Sequence, residues 1–204
     1  MKTRTGLLFV VSAPSGAGKT SLCRALSESL ENLTHSISYT TRRPRPQEIE
    51  GRDYYFVTED RFAQMVEAGD FAEWARVHSH SYGTSKRMLQ SMSAEGTDVI
   101  LDIDTQGAAQ IKKQYPGAIF VFILPPSMDI LEERLRNRRS DDEAEIARRM
   151  KRARDEIQDY PMYDYIIVNR DFDRALSELR SVVIGERCRT NLIDDAWIRN
   201  MIAQ

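Results

Sequence analysis

The run over residues 7–21, L-L-F-V-V-S-A-P-S-G-A-G-K-T-S, narrows the possible folds more than any other part of the chain. An apolar, β-branched stretch, a loop of small residues and then Gly-Lys-Thr opening an amphipathic segment predict a strand, a phosphate-binding loop and a helix. A loop without bulky side chains lets successive backbone N–H groups converge on phosphate oxygens, and the helix adds its positive N-terminal end. Lys19 would then reach the outer phosphates and the Thr20 hydroxyl would sit on Mg²⁺. The pattern G-x-x-x-x-G-K-[ST] wants glycine where this chain has Ala13, so Ala13 must keep a negative φ, because its Cβ penalises the left-handed region.

Four further stretches carry the same strand signal, over residues 99–103, 118–124 and 165–168 and, more weakly, 71–77. Residues 99–103, apolar but for Asp102, suit a strand buried on both faces. Helical spacing is readable over residues 18–30, 59–68, 88–94, from 105 to about 115, from 127, from 141 to about 160, and from 172. Strands alternating with helices predict an α/β protein, with a parallel sheet covered by helices on both faces. Residues 38–95 interrupt that rhythm: Arg42-Arg43-Pro44-Arg45-Pro46 fits neither a helix nor a central strand, residues 54–57 read as a short strand, and 78–81 as a turn or loop. An insertion with its own small, mainly antiparallel sheet is the simplest reading. Beyond about residue 189 the pattern is uninformative.

Composition sets bounds. With 204 residues, 41% of them hydrophobic, the chain can bury one sizeable core. A formal net charge of -2 supplies no global attraction to nucleic acid or an anionic membrane. Cys23 and Cys188 lack metal-ligand spacing and are expected to be buried or half-buried thiols in a reducing compartment. Lys2 and Arg4 before the apolar run imitate a secretory signal, but the run is short and cleavage near Ala13 would destroy the loop. No stretch approaches membrane-spanning length, so the expected location is the cytoplasm.

Asp102 ends a predicted strand and Asp104 follows on the same face, at the sheet edge where ligands lie in open α/β folds. Asp102 suits a Mg²⁺-water ligand beside Thr20; Asp104 suits either a cleft contact or the N-cap of the next helix. Arg42, Arg43 and Arg45 read as a rigid fork for a second phosphate, with a nucleic-acid arm and a solvated linker as the alternatives. Between residues 131 and 156 nine basic side chains crowd two helices and the break at 137–140. Most read as surface pairing, for example Glu145 with Arg149 and Arg152 with Glu156, whereas those at the break could reach a transferring phosphoryl group. His35, His78 and His80 lack ligand spacing and are read as non-catalytic. Strand alternation by itself leaves Glu73 a surface carboxylate beside Trp74.

Taken together, S-A-P-S-G-A-G-K-T (12–20), S-Y-T-T-R-R-P-R-P (38–46), G-R-D-Y-Y-F-V (51–57), F-A-E-W-A (71–75), Y-G-T (82–84), L-D-I-D-T-Q-G (101–107), I-L-P-P-S (123–127) and I-I-V-N (166–169) resemble guanylate kinases, in order and over nearly the whole chain. The resemblance implies a P-loop NTPase-type core (1–37, 97–133 and 157–204, the last with a C-terminal helix), an inserted GMP-binding α+β subdomain (38–96) and a helical lid (134–156). It implies ATP and Mg²⁺, with Ala13, Pro14, Ser15, Gly16, Ala17, Gly18, Lys19, Thr20 and Ser21 at the ATP phosphates, Asn169 near adenine, and Thr20 and, through water, Asp102 at the metal. Arg42, Arg45, Tyr54 and Tyr82 would face the GMP phosphate, and Ser38, Glu73, Thr84 and Asp104 would surround guanine, which reverses the surface reading of Glu73. Lys19, Arg42, Arg134, Arg138 and Arg149 would compensate charge on the transferred group. Neither nucleic acid nor membrane is an expected partner, and the oligomeric state is not readable. Arg170 stands where the family commonly has an acidic residue. Two alternatives share the pattern: an inactive scaffold of the same fold, which an intact Gly18-Lys19-Thr20 opposes, and a kinase for another nucleoside monophosphate.

Overall fold

The computed structural model describes residues 5–77, 79–137, 142–193 and 195–203. Nine strands and eight α-helices follow one another in this described part: β1 (Leu8–Ser12), α1 (Lys19–Ser29), β2 (Leu33–His35), β3 (Tyr39–Thr40), β4 (Tyr55–Phe56), α2 (Glu59–Glu67), β5 (Phe71–Val77), β6 (His80–Ser85), α3 (Lys86–Ala94), β7 (Asp98–Asp102), α4 (Thr105–Gln114), β8 (Ile119–Leu124), α5 (Met128–Asn137), α6 (Glu143–Ile157), β9 (Tyr165–Val168), α7 (Phe172–Arg187) and α8 (Asp195–Ile202).

The main sheet runs β2-β7-β1-β8-β9 and every pairing in it is parallel. Because side chains alternate along a strand, β1 supplies both faces of the core. Phe9 and Val11 pack with Leu22 and Leu26 of α1 and Leu179 and Val183 of α7. Val10 packs on the other side with Leu101, Phe120 and Phe122, beneath Leu89 of α3 and Ile111 of α4. From β1 the chain passes to β2 on one side and later to β8 on the other, so the order reverses beside β1, and its carboxyl end opens into a crevice. This is the α/β, P-loop NTPase-type architecture expected.

A second sheet, β4-β3-β6-β5, occupies the expected insertion; β3/β6 and β5/β6 are antiparallel and β3/β4 is parallel. Here the structure corrects the sequence reading. His80 and Ser81, expected in a turn or loop, begin β6, which pairs with β5 from Val77↔His80 to Phe71↔Ser85. His80-Ser81-Tyr82-Gly83-Thr84-Ser85 has no apolar run, and it is a strand because β5 and β3 flank it. His78 lies outside the described residues. Cys23 is buried as expected, but Cys188, at the end of α7, is exposed. None of the described helices is long and apolar enough to cross a membrane.

One buried charge ties the ends of several elements together. Asp98, fully buried at the start of β7, accepts from the Leu7 N–H at 2.7 Å and from Arg187 Nε at 2.7 Å. Arg187, ending α7, also donates to the Glu31 carbonyl at 2.9 Å. Removing the carboxylate strands the guanidinium and an amide together, which costs about 3–5 kcal/mol at a buried pair. We predict that Asp98→Ala lowers the urea midpoint accordingly, with an unchanged slope. A midpoint within error of the parent would show that this knot does not hold the sheet edge.

Candidate functional site

The loop leaving β1 turns twice through the left-handed region, at Gly16 (φ 100°) and Gly18 (φ 93°). Ala13 is absent from the positive-φ residues, so it meets the condition its Cβ imposes. Gly18 is needed for a second reason: a Cβ there would lie 2.4 Å from Asn169 Nδ2. That amide, only 5% exposed, donates to the Ala17 carbonyl at 2.7 Å, and Arg134 Nη2 donates to the Asn169 carbonyl at 2.9 Å. Asn169 and Arg134 therefore brace the loop from behind and do not line the cleft in front of it. Their link to the loop was not visible in the sequence.

In front, Lys19 opens α1 and places Nζ 2.7 Å from Asp102 Oδ1, while donating to the Ile103 carbonyl at 2.7 Å. Burial works against both charges, yet each sustains the other. Lys19 is held above its ordinary pKa because Asp102 outweighs the desolvation, and Asp102 is held below its own because Lys19 and the Thr20 hydroxyl outweigh it. Asp102 and Thr20 thus stand together as oxygen donors at the carboxyl edge of the sheet. Among the described residues no three His, Cys, Asp or Glu side chains converge on a point, so a cation here would draw most of its ligands from water and from a bound anion.

Across the cleft the floor is acidic. Glu73 is 4% exposed, accepts from Thr84 Oγ1 at 2.5 Å, and is pushed up to about 7 by burial, which that hydrogen bond only partly opposes. The register between β5 and β6 is irregular between Phe71 and Glu73, so Phe71, Ala72 and Glu73 are consecutively buried while Trp74 is 42% exposed. A bulge of this kind defeats simple alternation, which is why the surface reading of Glu73 fails. Gly107 makes the approach possible, since a Cβ there would lie 2.5 Å from Glu73 Oε2.

Asp104 fills both roles open to it. Oδ1 caps α4 by accepting the Gly107 N–H at 3.0 Å, and Oδ2 accepts from Gln106 at 3.0 Å and from Arg152 at 3.2 Å.

These groups line one cleft of about 310 Å³, together with Ala13, Pro14, Ser15, Gly16, Gly18, Thr20 and Ser21 at the loop end and Ser38, Tyr54 and Tyr82 at the other. Tyr54 and Tyr82 meet edge to face at 6.0 Å, and the Arg42 guanidinium lies 5.4 Å over the Tyr54 ring while paired with Glu48 at 2.7 Å. Arg45 is exposed, its backbone N–H bonded to Glu48, and Thr84 is fully buried behind Glu73. Arg42, Arg45, Thr84 and Ala17 are adjacent to the cleft and do not line it.

Helix α6 closes the remaining side, anchored on α5 by Ile146, Met150 and Ala153 against Leu131 and Leu135. Arg149 Nη2 donates to Ser15 Oγ at 2.6 Å, while Glu145 pairs with Arg148 and not with Arg149. Arg152 and Glu156 do pair, at 2.7 Å, but they line the cleft and are no surface bridge. Residues 149, 152 and 156 recur at helical spacing alongside the apolar stripe, and that periodicity was the available signal. Arg138 lies outside the described residues.

The family model for guanylate kinase matches residues 5–186. The chain is similar to the guanylate kinase of Geobacter sulfurreducens, 53% identical over 193 residues and 95% of each chain. It is also similar to that of Myxococcus xanthus, 50% identical over 93% of this chain and 91% of that protein. Its fold matches the crystal structure of guanylate kinase from Anaplasma phagocytophilum with a TM-score of 0.78 and 32% identity, covering 94% of this chain and 92% of that one. A loop built for phosphate, an acidic floor opposite it and likeness over nearly the full length converge: the chain belongs to the guanylate kinase family.

Proposed function

We propose that this chain transfers the γ-phosphoryl group of ATP to GMP, giving ADP and GDP. One observation carries the reading. A single cleft has the phosphate-loop residues and Lys19 at one end and two carboxylates, the buried Glu73 and the half-buried Asp104, at the other. The loop of residues 13–21 suits a polyphosphate. The carboxylates suit a base edge that presents adjacent donors, as guanine does with N1–H and its 2-amino group. Ser38 and Thr84 would complete the base site, and Tyr54, Tyr82, Arg42 and Arg45 would meet the monophosphate once Arg42 leaves Glu48 for the ligand.

The Asp102 carboxylate and the Thr20 hydroxyl, in hydrogen-bonding reach of each other, would hold Mg²⁺, Thr20 directly and Asp102 through water. Such an ion would neutralise charge on the phosphates. The chain's own task is positioning and charge compensation, because an in-line transfer between two anions needs little covalent help from the protein. Lys19 would move from Asp102 onto the outer phosphates, and Arg149, already at the loop, would clamp the transferred group. Arg138 and α6 would belong to the proposed lid, with Arg134 at its base bonded to the Asn169 carbonyl, and its closure would exclude water as a competing acceptor. Asn169, fixed to Ala17, would sit near the adenine.

Measuring ADP release against GMP, AMP, CMP and UMP tests the reading: turnover is expected with GMP far above the others. Absence of turnover with any of them would point to a scaffold, and equal turnover to a different acceptor. Lys19→Ala is expected to lower kcat by about 100-fold or more while GMP affinity changes by less than threefold, because the charge it supplies acts on the transferred group. A parallel loss of GMP binding in a titration would refute this separation.

Glu73 supplies two further predictions. Accepting both guanine donors requires the ionised form, so GMP binding below pH 7 must expel a proton. Wild-type GMP affinity should therefore fall, relative to Glu73→Gln at the same pH, as pH drops from about 8 to 5; the common reference cancels the titration of GMP itself. The variant should also bind GMP more weakly at pH 8 and narrow the preference over AMP. Parallel pH profiles in the two proteins would remove Glu73 from the base site.

In the ligand-free protein the sign is the reverse. A carboxyl whose pKa rises from the ordinary 4.5 to about 7 on folding contributes stability fully present below pH 4.5 and lost as pH rises through 7, roughly 3 kcal/mol. Glu73→Gln should consequently gain stability relative to wild type between pH 5 and pH 8 in urea melts. No relative gain would mean that Glu73 is already ionised in the folded state.

A further inference from the structure

Two arginines leave α6 for different parts of the cleft. Arg149 reaches the loop after β1, at Ser15 Oγ, and Arg152 reaches the cap of α4, at Asp104 Oδ2. They are three residues apart, about 4.5 Å along the axis, so a shift of the helix moves both at once. Arg152 is held in turn by Glu156, one turn further on, with Nε 2.7 Å from Oε1. Glu156 is 9% exposed, and its Oε2 is buried without a hydrogen-bond partner among the described residues. Burial raises the Glu156 pKa and Arg152 opposes the rise.

The charge balance gives Arg152 a specific task. Glu73, Asp104 and Glu156 all line this part of the cleft, while the other lining cations, Lys19 and Arg149, are engaged at Asp102 and Ser15. Among the described residues, Arg152 alone bridges two of the three carboxylates. A carboxylate offers about four acceptor positions. Gly107, Gln106 and Arg152 use three on Asp104, which leaves one for a donor arriving in the cleft without displacing Arg152.

We propose that Arg152 is a positioning residue: acting through Asp104, it ties occupancy of the base end of the cleft to the placement of α6, and so of Arg149 at the phosphate loop. The proposal rests on the reading that guanine is held at Glu73 and Asp104. A donor on Asp104 fixes the carboxylate that Arg152 grips, and the ordered helix presents Arg149 to the triphosphate. By linkage, a triphosphate at the loop must tighten GMP binding by the same factor.

Calorimetric titration of GMP into the full chain, with and without a saturating non-hydrolysable ATP analogue, measures that factor. In wild type the analogue is expected to tighten GMP at least fivefold. In Arg152→Met the factor should fall below twofold while the affinity for the analogue alone stays within twofold, and Arg152→Lys should restore part of it. Adding Asp104→Asn to Arg152→Met should remove no further coupling. A merely structural role would weaken both ligands without touching the factor. Should Arg152→Met not fold, as judged by thermal melting, Glu156→Gln, which frees the arginine from its anchor, is expected to lower the factor in its place. Persistence of the coupling in whichever variant folds, or a wild-type factor under twofold, overturns the proposal. Failure of the underlying reading shows separately: wild type alone would then bind GMP and AMP alike.

Discussion

The contact between Lys19 and Asp102 is the one on which the rest of the site depends. It joins the first residue of α1 to the last of β7, and Lys19 also takes the Ile103 carbonyl, so the loop after β1 is fastened to the neighbouring strand at the crevice edge. Buried ion pairs are poor sources of net stability, because desolvation offsets most of their attraction. This one is better understood as a way of storing a charged ammonium in a dry place. Without Asp102, burial would push Lys19 towards its neutral form, and the loop would lose the cation that a phosphate-handling site needs.

Opposite that cation the protein places one carboxylate, Glu73, with little compensation. Among the described residues Glu73 bonds to Thr84 and pairs with no cation, so burial governs its titration. Such a group is costly in the empty protein and becomes satisfied only when donors arrive. The bulge in β5, the absence of a Cβ at Gly107 and the capping geometry of Asp104 all serve to bring these acceptors to one surface. Loop and floor share a cleft because β7 pairs with β1 and α4, which follows β7, packs on both β1 and β5.

Helix α6 spans the two halves. Its apolar stripe holds it on α5, and its polar stripe of Arg149, Arg152 and Glu156 faces the cleft. Amphipathicity alone would predict a surface helix with a solvated polar face. The cleft turns part of that face inward, so pairs that are inconsequential in solvent become the charge balance of a partly buried site.

What the sequence by itself determined are the features set by neighbours along the chain. Apolar runs placed β1, β7 and β8, glycines at 16 and 18 met the left-handed turns of the loop, and helical spacing located α1, α5, α6 and α7. Distinctive short blocks supplied the family. Only the tertiary structure decided where side chains look. The strand β6 exists because β3 and β5 flank a polar segment, and Glu73 is buried because the register slips beside it. Asn169 turns to Ala17, and Arg152 to Asp104, across 152 and 48 residues of chain. Local pattern records the period of an element and the residues that permit a turn; which face becomes a cleft wall depends on what is packed against it, and no window of adjacent residues carries that information.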